Sequence, residues 1–248
     1  MNTIATPSPW IKIFQPCPQP QLRFFCFHPS ASGATLFRLW GKYLPSNIEV
    51  CAIQLPGRET RIKETLITKW DDLLSPLIQQ LQPLITEYPF VFFGHSLGAL
   101  ISFEVVRQLR RQTLPIPKYM FVSGRRPPHI PIDNLRHQAP NPILISVLRE
   151  YGGTPEAVLQ NQDLMELFLP ILRADFTLNE KYIYFPEAPF KFPIVAFRGT
   201  DDIEVSKQKL SQWEQHTISN FALHEFPGGH MFFQQQPKVL IETILKFI

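Results

Sequence analysis

The chain has 248 residues, of which 44% are hydrophobic and 18% are charged, and this composition excludes a disordered chain. Its length suits one domain with an insertion, and the formal net charge of +3 gives no reason to expect a nucleic-acid partner. No run approaches the ~20 consecutive apolar residues of a membrane span, so we expect no membrane partner.

The cysteines are Cys17, Cys26 and Cys51, and none belongs to a Cys-x-x-Cys pair. This pattern argues against a disulfide framework and against a zinc site. Cys26 and Cys51 lie in apolar runs and are predicted to be buried thiols. Residues 1–20 lack the basic region and following apolar stretch of a signal peptide, so we expect a cytoplasmic protein.

The first half of the chain alternates between strand and helix patterns. In order, the patterns predict an irregular arm over residues 1–20, a strand over 22–27, a small-residue loop over 28–33, a helix over 36–44, a strand over 48–55, a helix over 70–85, a strand over 90–93, a helix over 99–111 and a strand over 118–123. Apolar strands separated by helices are typical of a parallel sheet that is covered on both faces. We therefore predict an α/β protein with a doubly wound, mostly parallel sheet.

This alternation stops in the third quarter of the chain. Helical patterns without a clear strand follow one another over residues 143–151, 155–160 and 164–182. The segment is too long for a plain loop, so we predict a helical lid over the carboxyl ends of the strands.

Strand patterns return over residues 193–197 and 221–226, with helices predicted over 205–215 and 237–248. The chain is therefore expected to divide into three parts. These are an irregular N-terminal arm over 1–20, a core over 21–126 and 186–248, and the helical lid over 127–185.

The sequence Gly-x-Ser-x-Gly follows the strand pattern 90–93 and is centred on Ser96. A strand, a sharp turn and a helix in this order predict a nucleophile elbow. Gly94 and Gly98 would let the strand and the helix pack closely, and the turn would lift the serine hydroxyl clear of the backbone. The N–H of Leu97 would then point to where negative charge develops in a reaction.

A serine hydroxyl needs a base to act as a nucleophile at neutral pH. Behind such an elbow, the acid and the histidine come later in the chain, each in a loop after a strand. His230 follows the last strand pattern, behind two glycines, and is the predicted base. Asp201 and Asp202 both follow the preceding strand, and either could orient the histidine.

A second oxyanion donor is expected from the loop after the first strand of the sheet. Pro29 has no N–H and is excluded, so the backbone N–H of Ser30 is the candidate. His28, near this loop, could touch the substrate, although a structural role is the preferred expectation, and His95 is expected to point away from the serine. The remaining histidines are predicted to be loop or surface residues: His129, His137, His216 and His224.

Several short segments form a recognisable set. They are Cys-Phe-His-Pro over 26–29, Leu-Pro-Gly-Arg over 55–58, the elbow over 93–99, Ser-Gly-Arg-Arg within 122–129, Tyr-Gly-Gly-Thr-Pro over 151–155, Phe-Leu-Pro over 168–170, Arg-Ala-Asp over 173–175 and Gly-Gly-His-Met-Phe over 228–232. With them the chain, from about residue 22 onward, resembles the type II, stand-alone thioesterases of non-ribosomal peptide and polyketide synthases, which belong to the α/β-hydrolase superfamily.

The resemblance implies hydrolysis of acyl thioesters on the phosphopantetheine arm of a carrier protein, to remove stalled or aberrant groups. It assigns the nucleophile to Ser96, the base to His230 and the acid to Asp202 in preference to Asp201. It implies no cofactor and no metal, a carrier protein as the partner, and a monomer. One alternative is a thioesterase or esterase that acts on free acyl-CoA or medium-chain fatty acyl groups. Another is a non-catalytic binding module, against which the intact triad argues.

The chain departs from the family pattern in the first loop. This loop usually reads Ala-Gly-Gly, whereas here it reads Ser30-Ala31-Ser32, which narrows its conformational freedom next to the expected oxyanion donor. Arg125 and Arg126 are expected either to assist carrier docking, to brace the base of the lid, or to form ordinary salt bridges.

Overall fold

The computed structural model describes residues 8–248, so part of the predicted arm, residues 1–7, lies outside the described residues. A seven-stranded sheet forms the centre, in the order β1-β3-β2-β4-β5-β6-β7. Its strands are β1 (Ile11–Lys12), β2 (Leu22–Phe27), β3 (Ile48–Ile53), β4 (Phe90–His95), β5 (Met120–Ser123), β6 (Ile194–Gly199) and β7 (Phe221–Phe226). Only the β1–β3 pair is antiparallel among these strands, and the predicted doubly wound, mostly parallel sheet is confirmed.

Eight α-helices connect and cover the strands within residues 8–248. They are α1 (Trp70–Ile85), α2 (Leu97–Arg111), α3 (Asn141–Tyr151), α4 (Glu156–Leu159), α5 (Gln162–Glu180), α6 (Lys207–Ser211), α7 (Phe232–Gln235) and α8 (Pro237–Ile244). The prediction of a helix over 70–85 agrees with α1, although Pro76 and Pro83 lie inside it.

Side chains from the two faces of the sheet belong to two separate apolar clusters. Phe25 and Phe27 of β2 pack in the cluster that contains α1 and α2. Phe24 and Cys26, which alternate with them, pack in the cluster that contains α8. Because successive side chains of a strand point to opposite faces, an apolar strand such as β2 must be covered on both sides. Cys51 is also buried, as predicted.

One predicted helix, over residues 36–44, is wrong. The segment forms two 3-10 helices instead, Ala34–Phe37 and Trp40–Tyr43. Three residues per turn place Phe37 and Trp40 on one side, where both are buried with their ring centroids 4.9 Å apart. Gly41 also disfavours a continuous α-helix.

Two further segments differ from the sequence expectations. The arm is not irregular throughout, because Ile11–Lys12 pairs antiparallel with residues Ala52 and Ile53 of β3 and so extends the sheet by one edge strand. The helix expected over 205–215 is short, since α6 gives way to a 3-10 helix over Gln212–His216.

The segment between β5 and β6 contains α3, α4 and α5 and has an apolar cluster of its own. The buried members of this cluster are Leu144, Val147, Leu148, Leu159, Met165, Leu169, Leu172 and Phe176. A lid that packs as a unit of its own needs an apolar cluster of its own, so this cluster supports the division into core and lid. The division itself stays a prediction.

Candidate active site

Ser96 lies between β4 and α2 in a backbone conformation that non-glycine residues rarely adopt, with φ 52° and ψ −115°. Its N–H donates to the carbonyl of Ser123 on β5, with 2.8 Å between nitrogen and oxygen. A β-carbon at position 98 would overlap the carbonyl oxygen of Phe27, and one at position 94 would overlap the backbone of Gly98. The two glycines therefore make the close strand–helix contact possible, and the surrounding backbone holds Ser96 in its strained turn.

His230 and Asp202 come from the loops that follow β7 and β6. The Nδ1–H of His230 donates to Oδ2 of Asp202 over 3.0 Å, and both side chains are buried. The other carboxylate oxygen of Asp202 accepts from the N–H of Glu204 at 2.9 Å. Asp201, by contrast, is exposed and contacts the hydroxyl of Thr200. Of the two aspartates, only Asp202 can orient the imidazole in this arrangement.

Ser96 and His230 line the same cavity, of about 50 Å³, at the carboxyl edge of the sheet. The remaining lining comes from the loop after β2, from α3 and its following loop, from α5, and from Met231, just before α7, and Gln234 within it. The Nε2 atom of His230 is buried and makes no hydrogen bond within residues 8–248. Hydrogen bonds between a serine and its base often tighten only when substrate is bound, and an unpartnered Nε2 is what a base for Ser96 would need.

The backbone N–H groups near the serine differ in whether they already have a hydrogen-bond acceptor, and only a free one can serve as an oxyanion donor. Leu97 is the first residue of α2, where an N–H has no acceptor within the helix. The N–H of Ala31 already donates to Oδ2 of Asp175 at 2.8 Å. The N–H of Ser30 makes no hydrogen bond in the part of the chain that the structure describes. Within the described residues, both predicted donors, Leu97 and Ser30, are therefore free of competing acceptors.

Tyr151, the last residue of α3, was not singled out as a site residue from the sequence. Its ring lies against the ring of His230, and it lines the cavity beside Ser96. Its hydroxyl accepts from Arg136, which also forms a salt bridge of 2.7 Å with Glu204. Burial raises the pKa of the Tyr151 phenol above its usual range. The only signal in the sequence was its place at the start of the Tyr-Gly-Gly-Thr-Pro segment.

Arg58 and Asp175 form a second feature that the sequence did not assign. The guanidinium of Arg58 donates twice to the carboxylate, with both distances at 2.7 Å. Both side chains are buried, and the pair joins the loop after β3 to helix α5. Each residue belongs to a segment that carries the family resemblance, Leu-Pro-Gly-Arg and Arg-Ala-Asp, but neither segment states a role.

The other histidines surround the site or lie apart from it. His95 is buried and hydrogen-bonds through Nδ1 to the hydroxyl of Ser123, so it is directed at β5. His28 is also buried, and burial lowers its pKa to about 4. His216 was expected in a loop or at the surface, and this is wrong: it is buried, with Nε2 at 2.8 Å from Nδ1 of His129.

Arg125 is buried, and its guanidinium donates to the side chain of Asn179 on α5. Burial and the neighbouring charge of Arg126 lower the pKa of Arg125 to about 9. Of the three roles considered for this arginine, its contacts match the bracing of α5.

A doubly wound sheet with a strand–turn–helix elbow at its carboxyl edge defines the α/β-hydrolase class of proteins. Residues 23–248 match the family model described as thioesterase domain, and the chain belongs to the thioesterase family. Enzymes of this family hydrolyse thioesters.

Individual relatives agree with this assignment. The chain is 41% identical to the gramicidin S biosynthesis protein GrsT of Aneurinibacillus migulanus, over 91% of this chain and 88% of that protein. Among solved structures, the RedJ thioesterase of the prodiginine pathway in Streptomyces coelicolor is similar, with a TM-score of 0.87, 30% identity, and 92% of this chain and 86% of that chain covered. The type II thioesterase BorB from the borrelidin biosynthetic cluster matches with a TM-score of 0.85 and 28% identity, over 97% of this chain and 98% of that chain.

Two further kinds of site are absent from residues 8–248. No helix there is both long enough and apolar enough to cross a membrane. No group of three or more His, Cys, Asp or Glu side chains in the same residues is placed to hold a metal ion.

Proposed function

We propose that this protein is a type II thioesterase that hydrolyses acyl groups from the phosphopantetheine arm of carrier proteins. Its substrates would be the aberrant or stalled acyl groups of non-ribosomal peptide or polyketide assembly lines. The observation that carries the proposal is the buried His230–Asp202 pair, because His230 lines the same cavity as Ser96 and its Nε2 has no hydrogen-bond partner within residues 8–248. The reaction would need no cofactor, since the phosphopantetheine belongs to the substrate.

In the proposed reaction, the hydroxyl oxygen of Ser96 attacks the thioester carbonyl while Nε2 of His230 takes the hydroxyl proton. The N–H groups of Leu97 and Ser30 receive the oxygen that becomes negative. The carbon–sulfur bond then breaks, and His230 returns the proton to the departing thiolate. Water then attacks the acyl-serine while His230 takes one of its protons; the ester carbon–oxygen bond breaks, His230 gives that proton to the Ser96 oxygen, and the carboxylic acid leaves. Asp202 holds the imidazole in the required tautomer throughout.

The cavity is too small for an acyl chain as it stands, because about 50 Å³ is far below the roughly 300–1,000 Å³ of common ligand pockets. Part of its lining comes from the segment between β5 and β6, through Leu148, Tyr151 and Leu172. We infer that this segment is a lid which moves to admit the acyl group. The carrier protein would then dock at the edge of the lid, with the hydrolase acting as a monomer in the cytoplasm.

Support for the synthase context comes from the relatives. GrsT, RedJ and BorB all belong to biosynthetic pathways, and BorB is a type II thioesterase. The same role for this chain is part of the proposal.

The decisive experiment compares kcat/KM on an acylated carrier protein with kcat/KM on the matched acyl-CoA. We expect a preference of at least tenfold for the carrier protein. Equal values, or a preference for the free thioester, would instead favour an enzyme of acyl-CoA or medium-chain fatty acyl metabolism.

A serine-directed fluorophosphonate tests the catalytic claim separately. We expect covalent labelling of the native protein and none of the Ser96→Ala variant. A native protein that is folded but not labelled would favour a non-catalytic binding module.

A further inference from the structure

Ala31, beside the proposed oxyanion donor Ser30, has a left-handed backbone conformation with φ 56°. This region favours glycine, because a β-carbon there approaches the following carbonyl oxygen. The loop therefore holds a strained residue directly next to the N–H that the reaction would use, and some other contact must keep it there.

That contact comes from helix α5. Oδ2 of Asp175 accepts the N–H of Ala31 at 2.8 Å, although the two residues lie 144 positions apart in the sequence. The Asp175 side chain is completely buried. This N–H has no other acceptor within residues 8–248, so the turn at Ala31 is fixed by a residue of the proposed lid.

Arg58 completes the arrangement from the loop after β3. It binds both oxygens of Asp175 and also donates to the carbonyl of Ser32 at 3.2 Å. The pair thus contacts the loop on both sides of its strained turn, at the N–H of residue 31 and at the C=O of residue 32.

Stability alone gives little reason for such a pair. Desolvating two charges offsets most of their attraction, so a buried salt bridge is weak support for a fold. What the pair does provide is a set of directional contacts that reach from α5 to the loop of Ser30.

We propose that Asp175, oriented by Arg58, is a positioning residue that makes the second oxyanion donor depend on the seating of α5. When α5 lifts to admit an acyl group, Asp175 no longer binds the N–H of Ala31, and the N–H of Ser30 no longer points at the carbonyl oxygen of the substrate. When α5 returns, both donors face the carbonyl, so the reaction proceeds only beneath a closed lid. This inference rests on the proposed function, since it assumes that Ser30 serves as an oxyanion donor.

The chain offers a matched control in Arg23 and Glu49. This pair is also a buried arginine–carboxylate salt bridge, with 3.0 Å between Nε and Oε2. It joins β2 to β3, and neither of its side chains lines the cavity of Ser96.

The test measures kcat and KM of Asp175→Asn and Glu49→Gln on an N-acetylcysteamine acyl thioester, a small substrate that needs no carrier docking. Loss of one oxyanion donor typically lowers kcat by about 100- to 1,000-fold, and a misaimed donor should cost about 10- to 100-fold. We expect that loss in kcat for Asp175→Asn, with KM within threefold of the native value. Its affinity for a trifluoromethyl ketone analogue, which mimics the tetrahedral intermediate, should fall by a similar factor. Glu49→Gln should keep the native kcat per folded molecule.

A second variant separates positioning from general damage. Adding Ala31→Gly to Asp175→Asn removes the strain that the carboxylate opposes, so kcat should recover at least threefold.

If Asp175→Asn does not fold, Arg58→Lys replaces it in the test, because lysine keeps the positive charge and cannot make the bidentate contact with the carboxylate. Arg58→Lys should lower kcat in the same way as Asp175→Asn, but by a smaller factor.

An unchanged kcat in the folded variant, a change confined to KM, or an equal loss in Glu49→Gln would overturn the positioning role. Such a result would leave the proposed function standing, provided that Ser96→Ala is inactive. Full turnover by Ser96→Ala would instead overturn the proposed function and this inference with it.

Discussion

The ring of Tyr151 lies against the imidazole of His230, with 4.5 Å between ring centroids and 39° between ring planes. The imidazole therefore has two contacts. Its Nδ1 lies against the carboxylate of Asp202, and its ring packs against Tyr151 of helix α3. Because α3 belongs to the proposed lid, the position of the proposed base is linked to the position of the lid.

Truncating this contact should affect the reaction more than it affects the fold. We expect Tyr151→Ala to lower kcat by about 10- to 100-fold, since a catalytic group displaced by about 1 Å costs up to that much. Tyr151→Phe, which keeps the ring and loses only the hydroxyl, should stay within about threefold of the native kcat. Tyr184→Ala removes a tyrosine that packs on His216 instead and serves as the control. Equal losses in Tyr151→Ala and Tyr184→Ala would contradict the role of Tyr151.

Ser96→Ala should abolish turnover without unfolding the protein. The variant removes the proposed nucleophile and leaves the backbone unchanged, so kcat should fall by about 10⁴-fold or more. Circular dichroism and the melting temperature should match those of the native protein within about 3 °C. Measurable single-turnover acylation of the variant would show that another group attacks the thioester.

The two neighbouring aspartates should respond very differently to the same substitution. Asp202→Asn disturbs the tautomer of His230, and we expect kcat to fall by about 10²- to 10⁴-fold. Asp201 is exposed, so Asp201→Asn should remain within about twofold. Steady-state kinetics of both variants, at equal concentrations of folded protein, measure these losses in kcat. A larger loss for Asp201→Asn than for Asp202→Asn would assign the acid to Asp201.

The elbow glycine Gly98 should be intolerant of any side chain. A β-carbon there would overlap the carbonyl of Phe27, and forced overpacking costs about 1–3 kcal/mol or more. We therefore expect Gly98→Ala to lower the free energy of unfolding in urea by at least that amount. Gly229→Ala is the control, because a β-carbon at that position meets no atom within 4 Å. A native-like urea midpoint for Gly98→Ala would contradict the packing of the elbow.

Acid should destabilise the fold through buried neutral histidines. Burial, with the nearby His129, lowers the pKa of His216 from 6.5 to about 4 in the folded protein. The unfolded chain then binds the proton more tightly, so stability is complete above about pH 6.5 and falls as the pH drops toward 4. The loss amounts to about 2 kcal/mol per such histidine between pH 7 and pH 5.

Urea unfolding at pH 7 and pH 5 measures this loss directly. The variant His216→Phe should lose less stability than the native protein between these two values, whatever its stability at pH 7. An unchanged difference between the two pH values would show that His216 is not kept neutral by the fold.

Much of the architecture could be predicted from local patterns. The apolar strands without alternation predicted a covered parallel sheet, and the Gly-x-Ser-x-Gly sequence after one of them predicted the sharp turn at Ser96. The helix expected over 36–44 failed because the choice between α and 3-10 geometry depends on where Phe37 and Trp40 must pack. The edge strand β1 was not expected, since two residues are too few to show a period.

The site, like the fold, could be predicted only in part from local patterns. Asp201 and Asp202 are adjacent and chemically identical, and the sequence alone, apart from the family resemblance, left both open as the acid. The choice between their positions is made by the loops after β6 and β7, which bring one carboxylate to His230 and leave the other in solvent. The catalytic use of these residues remains a prediction.

What the sequence determined by itself is the order of the main strands and helices and the elbow, because periodicity and turn chemistry act between near neighbours. Its short motifs also indicated the family. Only the tertiary structure decided that Asp175 and Arg58 meet at the loop of Ala31, across separations of 117 and 144 residues. Contacts over such distances depend on how the lid helices pack on the sheet, and no local pattern encodes that packing.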